Sequence, residues 1–303
     1  MTKEKHPVRL TVMVFTALWV VISALPPRSW ASDAKSFLWE VTSDTTTVFV
    51  MGSIHAAKPE FYPLNPVIEN AFKQSSCLVV EVNPFTTDEK KIEALIARKG
   101  FYPENDHIKN HIEGTLYDDL VKYLGQNGIS LERVSRMRPG FLSFTLTAGH
   151  IMKLGYLPEH GVDLYFLNKA RESKQILELE TLEEQMALLL DMPHENLYLK
   201  YTLADLDHAE PMLLDMSTDW LNGDAEGIYN NVIQPYIGNP EMMPLMNRLF
   251  FERNRKMTLK IKALLKGGRT CFVVVGAGHL VGDKGIIELL KQGPYNIRQL
   301  GKS

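Results

Sequence analysis

The chain is 303 residues long, and with 45% hydrophobic and 23% charged residues it has ample material for a buried core. That composition excludes a disordered tail protein and a collagen-like repeat, and two cysteines are too few for a disulfide-dense miniprotein. Thirty-three Lys and Arg against 36 Asp and Glu leave a net charge of −3, without the basic excess of a nucleic-acid binder.

Lys3, Lys5 and Arg9 form a basic start, followed by an apolar run from Leu10 to Leu25 that Pro26 and Pro27 end. Ser29-Trp30-Ala31 supplies small residues at the −3 and −1 positions of a cleavage site. Together these predict a secretory signal peptide over residues 1–31. The run of 16 residues falls short of the roughly 20 that a membrane-spanning helix needs. No Cys follows it to carry a lipid anchor, and no later stretch approaches a span. The mature protein is expected to start at Ser32, in the periplasm or outside the cell. Its 29 basic and 35 acidic residues give −6, which argues against charge-driven binding to an anionic membrane.

The mature chain opens with a predicted hairpin: Phe37 to Val41 and Thr46 to Met51 are β-rich and Ser43-Asp44 lies between them. Pro63 to Gln74 reads as a helix, with Val67, Ile68, Ala71 and Phe72 at helical spacing. Cys77 to Val80 is a short continuous apolar run, the mark of a strand buried on both faces. Thr86 to about Arg171 is mostly helical. Gln175 to Leu179 is a further strand, and Thr181 with Glu184 forms a capping box that starts a helix through Leu190. About Pro193 to Lys266 is helical again and rich in Met and Leu. Thr270 to Val275 is a second fully apolar strand, followed by a helix over Lys284 to Lys291 and a last strand at Asn296 to Leu300. The pattern predicts an α/β fold over residues 32–303. It is one domain with a mixed sheet, helices on both of its faces and a largely helical insertion over about 86–266.

One short echo stands out. Val48 to Met51 runs into Gly52-Ser53-Ile54-His55, and Phe272 to Val275 runs into Gly276-Ala277-Gly278-His279. Each apolar strand ends at a Gly with a His three residues later. Ligands of open α/β sheets bind at the carboxyl ends of strands. Glycine permits close backbone approach there, and imidazole is both the commonest metal ligand and the usual acid–base group near neutrality. Glu81 ends the Cys77 strand and Glu180 follows the Gln175 strand, so both carboxylates belong to the same rim. Two His and one or two Glu could hold a divalent cation with open positions. A solvated strand end would equally explain Glu81, and a helix N-terminal acid Glu180.

Other residues carry less. His160 and Asp163 share the face of a helix start, as ligands or supporting groups, with capping an equally good role for Asp163. Arg253 and Asn254 follow an apolar helix; Arg could stabilise oxyanion charge and Asn orient a ligand, or the Arg could make a surface salt bridge. Met186, Met192, Met212, Met216, Met242, Met243 and Met246 fall in helical stretches as core filler, with a groove for flexible peptides as the alternative. Cys77 and Cys271 each open a strand, some 13–17 Å from the histidine end. Buried free thiols are expected, with pairing open to them if the strands are neighbours. The chain has no Gly-x-Ser-x-Gly elbow, no His-Glu-x-x-His helix and no phosphate loop.

At these residues the sequence resembles the TraB/GumN family, relatives of the Tiki metalloproteases. The resemblance is carried by both Gly-x-x-His motifs, Glu81, His160 to Asp163, Leu179 to Gln185, Arg253-Asn254 and the run Phe272 to Gly285. It departs at Gly293-Pro294-Tyr295, where a Pro interrupts an expected Gly–aromatic step. The resemblance implies an α/β metallohydrolase-like core with both motifs facing one site. It also implies metal-dependent proteolysis of extracellular proteins, as in Tiki members, or the shutting down of a peptide pheromone, to which TraB-like members are linked.

The expected function is an exported metal-dependent hydrolase acting on peptides or proteins. His55 and His279 are expected as ligands to Mn, Co or Zn, with Glu81 or Glu180 as further ligand and the other as base, and Arg253 and Asn254 in support. The alternative is a non-catalytic periplasmic protein that sequesters a peptide, metal or haem-like ligand at the same rim. The sequence does not set an oligomeric state.

Overall fold

A computed structural model describes residues 35–301, so the predicted signal peptide over 1–31 lies outside the described residues. Six strands, β1 (Lys35–Thr42), β2 (Thr47–Ser53), β3 (Cys77–Val80), β4 (Gln175–Glu178), β5 (Cys271–Gly276) and β6 (Asn296–Gly301), form one mixed sheet in the order β4-β3-β5-β2-β1-β6. β4, β3, β5 and β2 are mutually parallel, while β1 pairs antiparallel with both β2 and β6. The expected hairpin is present as β1 and β2. The expected helix at 63–74 starts later, at Pro66, because Asn65 caps it by accepting from the Val67 N–H.

Successive side chains of a strand point to opposite faces of a sheet. Every residue of β3 and β5 is buried, so both faces of the centre are covered, as parallel strands require. The outer strands β4 and β6 carry only exposed and half-buried residues, as edge strands do. The helical stretch predicted over about 86–266 is divided by β4, which returns to the sheet beside β3. The two helical excursions on either side of β4 share a second core, built around Leu120, Leu142, Leu146, Leu199 and Leu203.

One expectation is corrected. Cys77 and Cys271, read as free thiols, are joined in a disulfide. β3 and β5 are neighbours and their register places these two residues opposite each other, with Cα atoms 4.8 Å apart, within the reach of a bridge. The sequence named the strands but could not give their adjacency. Among the described residues no helix is long and apolar enough to cross a membrane.

Candidate active site

The carboxyl ends of β2, β3, β4 and β5 lie side by side and bring the two Gly-x-x-His motifs and both glutamates together. β2 and β5 pair in register from Val48–Cys271 to Ser53–Gly276, so the motifs leave the sheet as neighbours. The β3–β4 pairing continues past the strands: Leu179 N–H donates to Val80 O and Glu180 N–H to Glu81 O, at 2.9 and 2.8 Å. Glu81 and Glu180 thus become adjacent, and both are buried.

Two buried carboxylates side by side repel and need a cation. Arg253, in the helix Glu252–Leu264, supplies it. Its Nη2 donates to Oε2 of Glu81 and to Oε2 of Glu180, each at 2.7 Å, its Nε donates to both Glu180 oxygens, and its Nη1 donates to the Leu249 carbonyl. Gln185, in the helix that the predicted Thr181–Glu184 capping box begins, donates through Nε2 to Glu81 and Glu180 at 3.0 and 3.1 Å. Burial pushes the Glu81 carboxyl up, but His279, His55, Arg253 and the Gly276 N–H outweigh it and bring it down to about 2. Burial opposes the charge on Arg253, yet the hydrogen bonds and charges of both glutamates raise its pKa above the ordinary arginine value.

Each histidine is held by its Nδ1 and leaves Nε2 free of that contact. His55 Nδ1 lies 2.9 Å from Asp163 Oδ2, and the other oxygen of Asp163 accepts from Ser53 Oγ at 2.8 Å. The Val162 N–H donates to Ile54 O at 3.0 Å, pinning the start of the helix Val162–Ala170 to the first motif. Asp163 therefore serves His55 and makes no cap. His160 contributes its backbone carbonyl, which accepts from Tyr62 Oη. His279 is buried, and its Nδ1 lies 2.6 Å from Asn254 Oδ1, while Asn254 Nδ2 donates to the Lys284 carbonyl. The two environments act in opposite directions. The Asp163 charge raises the His55 pKa, whereas burial lowers that of His279 to about 4.

The free edges converge at Gly276, whose N–H donates to Glu81 Oε1 at 2.6 Å. A Cβ on Gly276 would sit 3.0 Å from His55 Nε2 and 3.3 Å from Glu81 Oε1. The backbone angles there are ordinary (φ −52°, ψ 137°), so glycine is required for space and not for conformation. His279 Nε2 lies 3.8 Å from the same Glu81 oxygen. Among the described residues no group of three or more His, Cys, Asp or Glu side chains is already drawn together as a complete ion-binding cluster. The donor chemistry nonetheless fits a cation at the histidine pair. Both rings are oriented through Nδ1 by a fixed acceptor, the usual support of metal-binding imidazoles, and Glu81 Oε1 borders the space between them. Both oxygens of Glu180 are engaged by Arg253.

Sequence reasoning offered a supporting role for Asp163 without naming His55 as its partner, and it missed the part played by Gln185. Asp163 was visible as a ligand, a supporting group or a cap, with nothing in its spacing to choose among them. Gln185 falls one turn after a capping box, and its approach to Glu81 follows from the β3–β4 pairing.

Fold and site together define an α/β protein with a His–Glu–Arg centre at the carboxyl ends of parallel strands. The chain belongs to the TraB/PrgY/gumN family, whose model it matches over residues 37–299. It is 27% identical to the Uncharacterized protein YbaP of Escherichia coli (strain K12), over 80% of this chain and 87% of that one. It is 25% identical to Metalloprotease TIKI1 of Danio rerio, over 88% of this chain and 63% of the relative, and 21% identical to the Metalloprotease TIKI homolog of Amphimedon queenslandica, over 95% and 67%. No solved structure matches it.

Proposed function

We propose that this protein is an exported metal-dependent peptidase in which His55 and His279 hold a divalent cation through their Nε2 atoms, with Glu81 beside them. The observation that carries this reading is the convergence of two oriented imidazoles and one ionised carboxylate oxygen on the space that Gly276 leaves open. The relatives named metalloproteases support a metal dependence. Imidazole and carboxylate donors suit Mn, Co and Zn alike. The signal-like residues 1–31 and the Cys77–Cys271 disulfide, of a kind that persists in oxidising compartments, support export.

A cation bound there would polarise a peptide carbonyl and make a nearby water more acidic. The protein's own groups supply the rest. Arg253, Gln185 and the Gly276 N–H fix the Glu81 carboxylate in place, so that Oε1 can accept a proton from water at the histidine pair. Arg253 is itself held by two carboxylates and a carbonyl, which makes it the residue that positions Glu81. Asp163 and Asn254 fix the ring planes of the two histidines.

Metal analysis of the mature protein, followed by cleavage of a peptide library, tests the reading. Glu81→Gln should retain the cation while turnover falls by about 10²–10⁴-fold, the usual contribution of a positioned base. Glu180→Gln should retain the cation with a smaller loss. A larger loss in Glu180→Gln would exchange the two roles. Stoichiometric metal with no cleavage of any peptide would replace the peptidase by a sequestering protein.

A further inference from the structure

Next to His279 the helical region forms a half-open cavity of about 320 Å³, at the lower end of the size range of ligand sites. Four methionines line it, Met212, Met216, Met242 and Met246, joined by Phe250 and Val232. Methionine is flexible and polarizable, so a wall built from it adapts to apolar guests of different shape. A polar edge is present as well: Tyr236 Oη donates to Asp205 Oδ2 at 3.0 Å, and both residues border the cavity.

The cavity abuts the histidine site across two residues of its wall. Phe250 lies on the cavity wall, and its ring packs on the His279 imidazole with centroids 5.2 Å apart. Val232 is also on the wall, and a Cβ on Gly278 would come within 3.1 Å of both Val232 and Phe250. The second glycine of Gly276-Ala277-Gly278-His279 thus admits the cavity wall to the motif. Phe250 belongs to a π-helical turn, Asn247–Phe251, that runs directly into Arg253 and Asn254. Such turns are uncommon and concentrate at functional sites. This one links the cavity wall, the arginine that positions Glu81 and the amide that holds His279.

We infer that this cavity is the subsite for one large apolar side chain of the substrate peptide, Leu, Met or Phe, next to the bond that is cut. The inference rests on the peptidase reading for its occupant. It specifies the substrate class as peptides carrying a bulky apolar residue at one fixed position from the cleavage point. Phe250 is then the partition between that side chain and His279.

The test compares acetyl-Ala-Phe-Ala-amide with acetyl-Ala-Ala-Ala-amide. The unmodified protein should cleave the Phe peptide with kcat/KM at least about 10-fold higher, since even one methylene in a fitted apolar pocket gives about 10–200-fold. Met212→Trp fills the cavity from a half-buried position and should bring that ratio near one. Thr147→Phe, which fills it from the helix Pro139–Lys153, should do the same and serves if the first variant folds poorly. Binding of the same two peptides to the His55→Ala/His279→Ala double variant, read by saturation-transfer NMR, gives a readout that needs no turnover. There the Phe peptide should bind about 10-fold tighter, and Met212→Trp should abolish the difference. A peptidase whose Phe-to-Ala ratio is untouched by both filling variants would overturn the subsite and leave the peptidase standing. A protein that cuts neither peptide but shows the Met212-dependent binding difference would retain the subsite and lose the peptidase. Equal binding of both peptides to the double variant would remove the subsite outright.

Discussion

The two ends of the parallel strands do different work. At the amino ends of β3 and β5, Cys77 and Cys271 are buried and joined covalently. At the carboxyl ends of the same strands, Glu81 and Gly276 enter a polar cluster that includes Arg253, Glu180 and both histidines. One end ties the sheet together, while the other carries buried charge that an apolar core would not need. Changes at the amino ends should therefore act on stability alone, and changes at the carboxyl ends on ligand chemistry, with Arg253 acting on both.

The largest effect is expected at the histidines. His55→Ala and His279→Ala each remove a donor and should lower metal affinity by more than the roughly 10–100-fold typical of an outer partner, with activity lost alongside. Calorimetric titration with Mn²⁺, Co²⁺ and Zn²⁺ checks this. Next is Arg253→Met. It leaves Glu81 and Glu180 buried together without a cation and should cost about 3–5 kcal/mol in urea unfolding. The half-exposed Arg138–Glu195 pair offers the contrast, since Arg138→Met should cost no more than about 1 kcal/mol.

At the other end of the strands, Cys77→Ser/Cys271→Ser should cost about 2–4 kcal/mol, because the bridge closes a long loop across 194 residues of sequence. Metal affinity and turnover of the folded fraction should be unchanged. A loss of metal binding in this variant would break the division between the two ends. Asp163→Asn keeps the shape of the His55 partner but removes its charge, and should weaken metal binding by about 10–100-fold with little change in stability. The smallest effect tests the approach of Gln185. Thr181→Ala removes the cap of its helix and should cost about 1 kcal/mol, read as a shift in the urea midpoint.

Much of this division was legible in the sequence. Continuous apolar runs marked β3 and β5, turn residues marked the β1–β2 hairpin, and the capping box at Thr181 and Glu184 marked a helix start. The repeated Gly-x-x-His pattern located the two histidines because strand ends have a local signature. What remained illegible depends on which strands are neighbours. The disulfide needed the β3–β5 adjacency, and the closeness of Glu81 and Glu180 needed the β3–β4 pairing carried one residue past the strands. Arg253 is 73 residues from Glu180 and 172 from Glu81 in sequence, so its double ion pair has no local signal. Asp163 reaches His55 across 108 residues, through a contact between a loop and a helix start that no periodicity encodes.

The identical motifs also acquire different surroundings. The His55 side chain is 65% exposed beside an anion, whereas His279 is buried beside a neutral amide. Spacing selected the residue type, and the packing around it set its charge.

The central claim is that both histidines serve one cation. Metal stoichiometry of the purified mature protein, measured by inductively coupled plasma mass spectrometry after dialysis against a divalent-cation mixture, tests it most directly. The account predicts about one ion per chain, lost in His55→Ala and equally in His279→Ala. Retention of the full metal content in either single variant would contradict it.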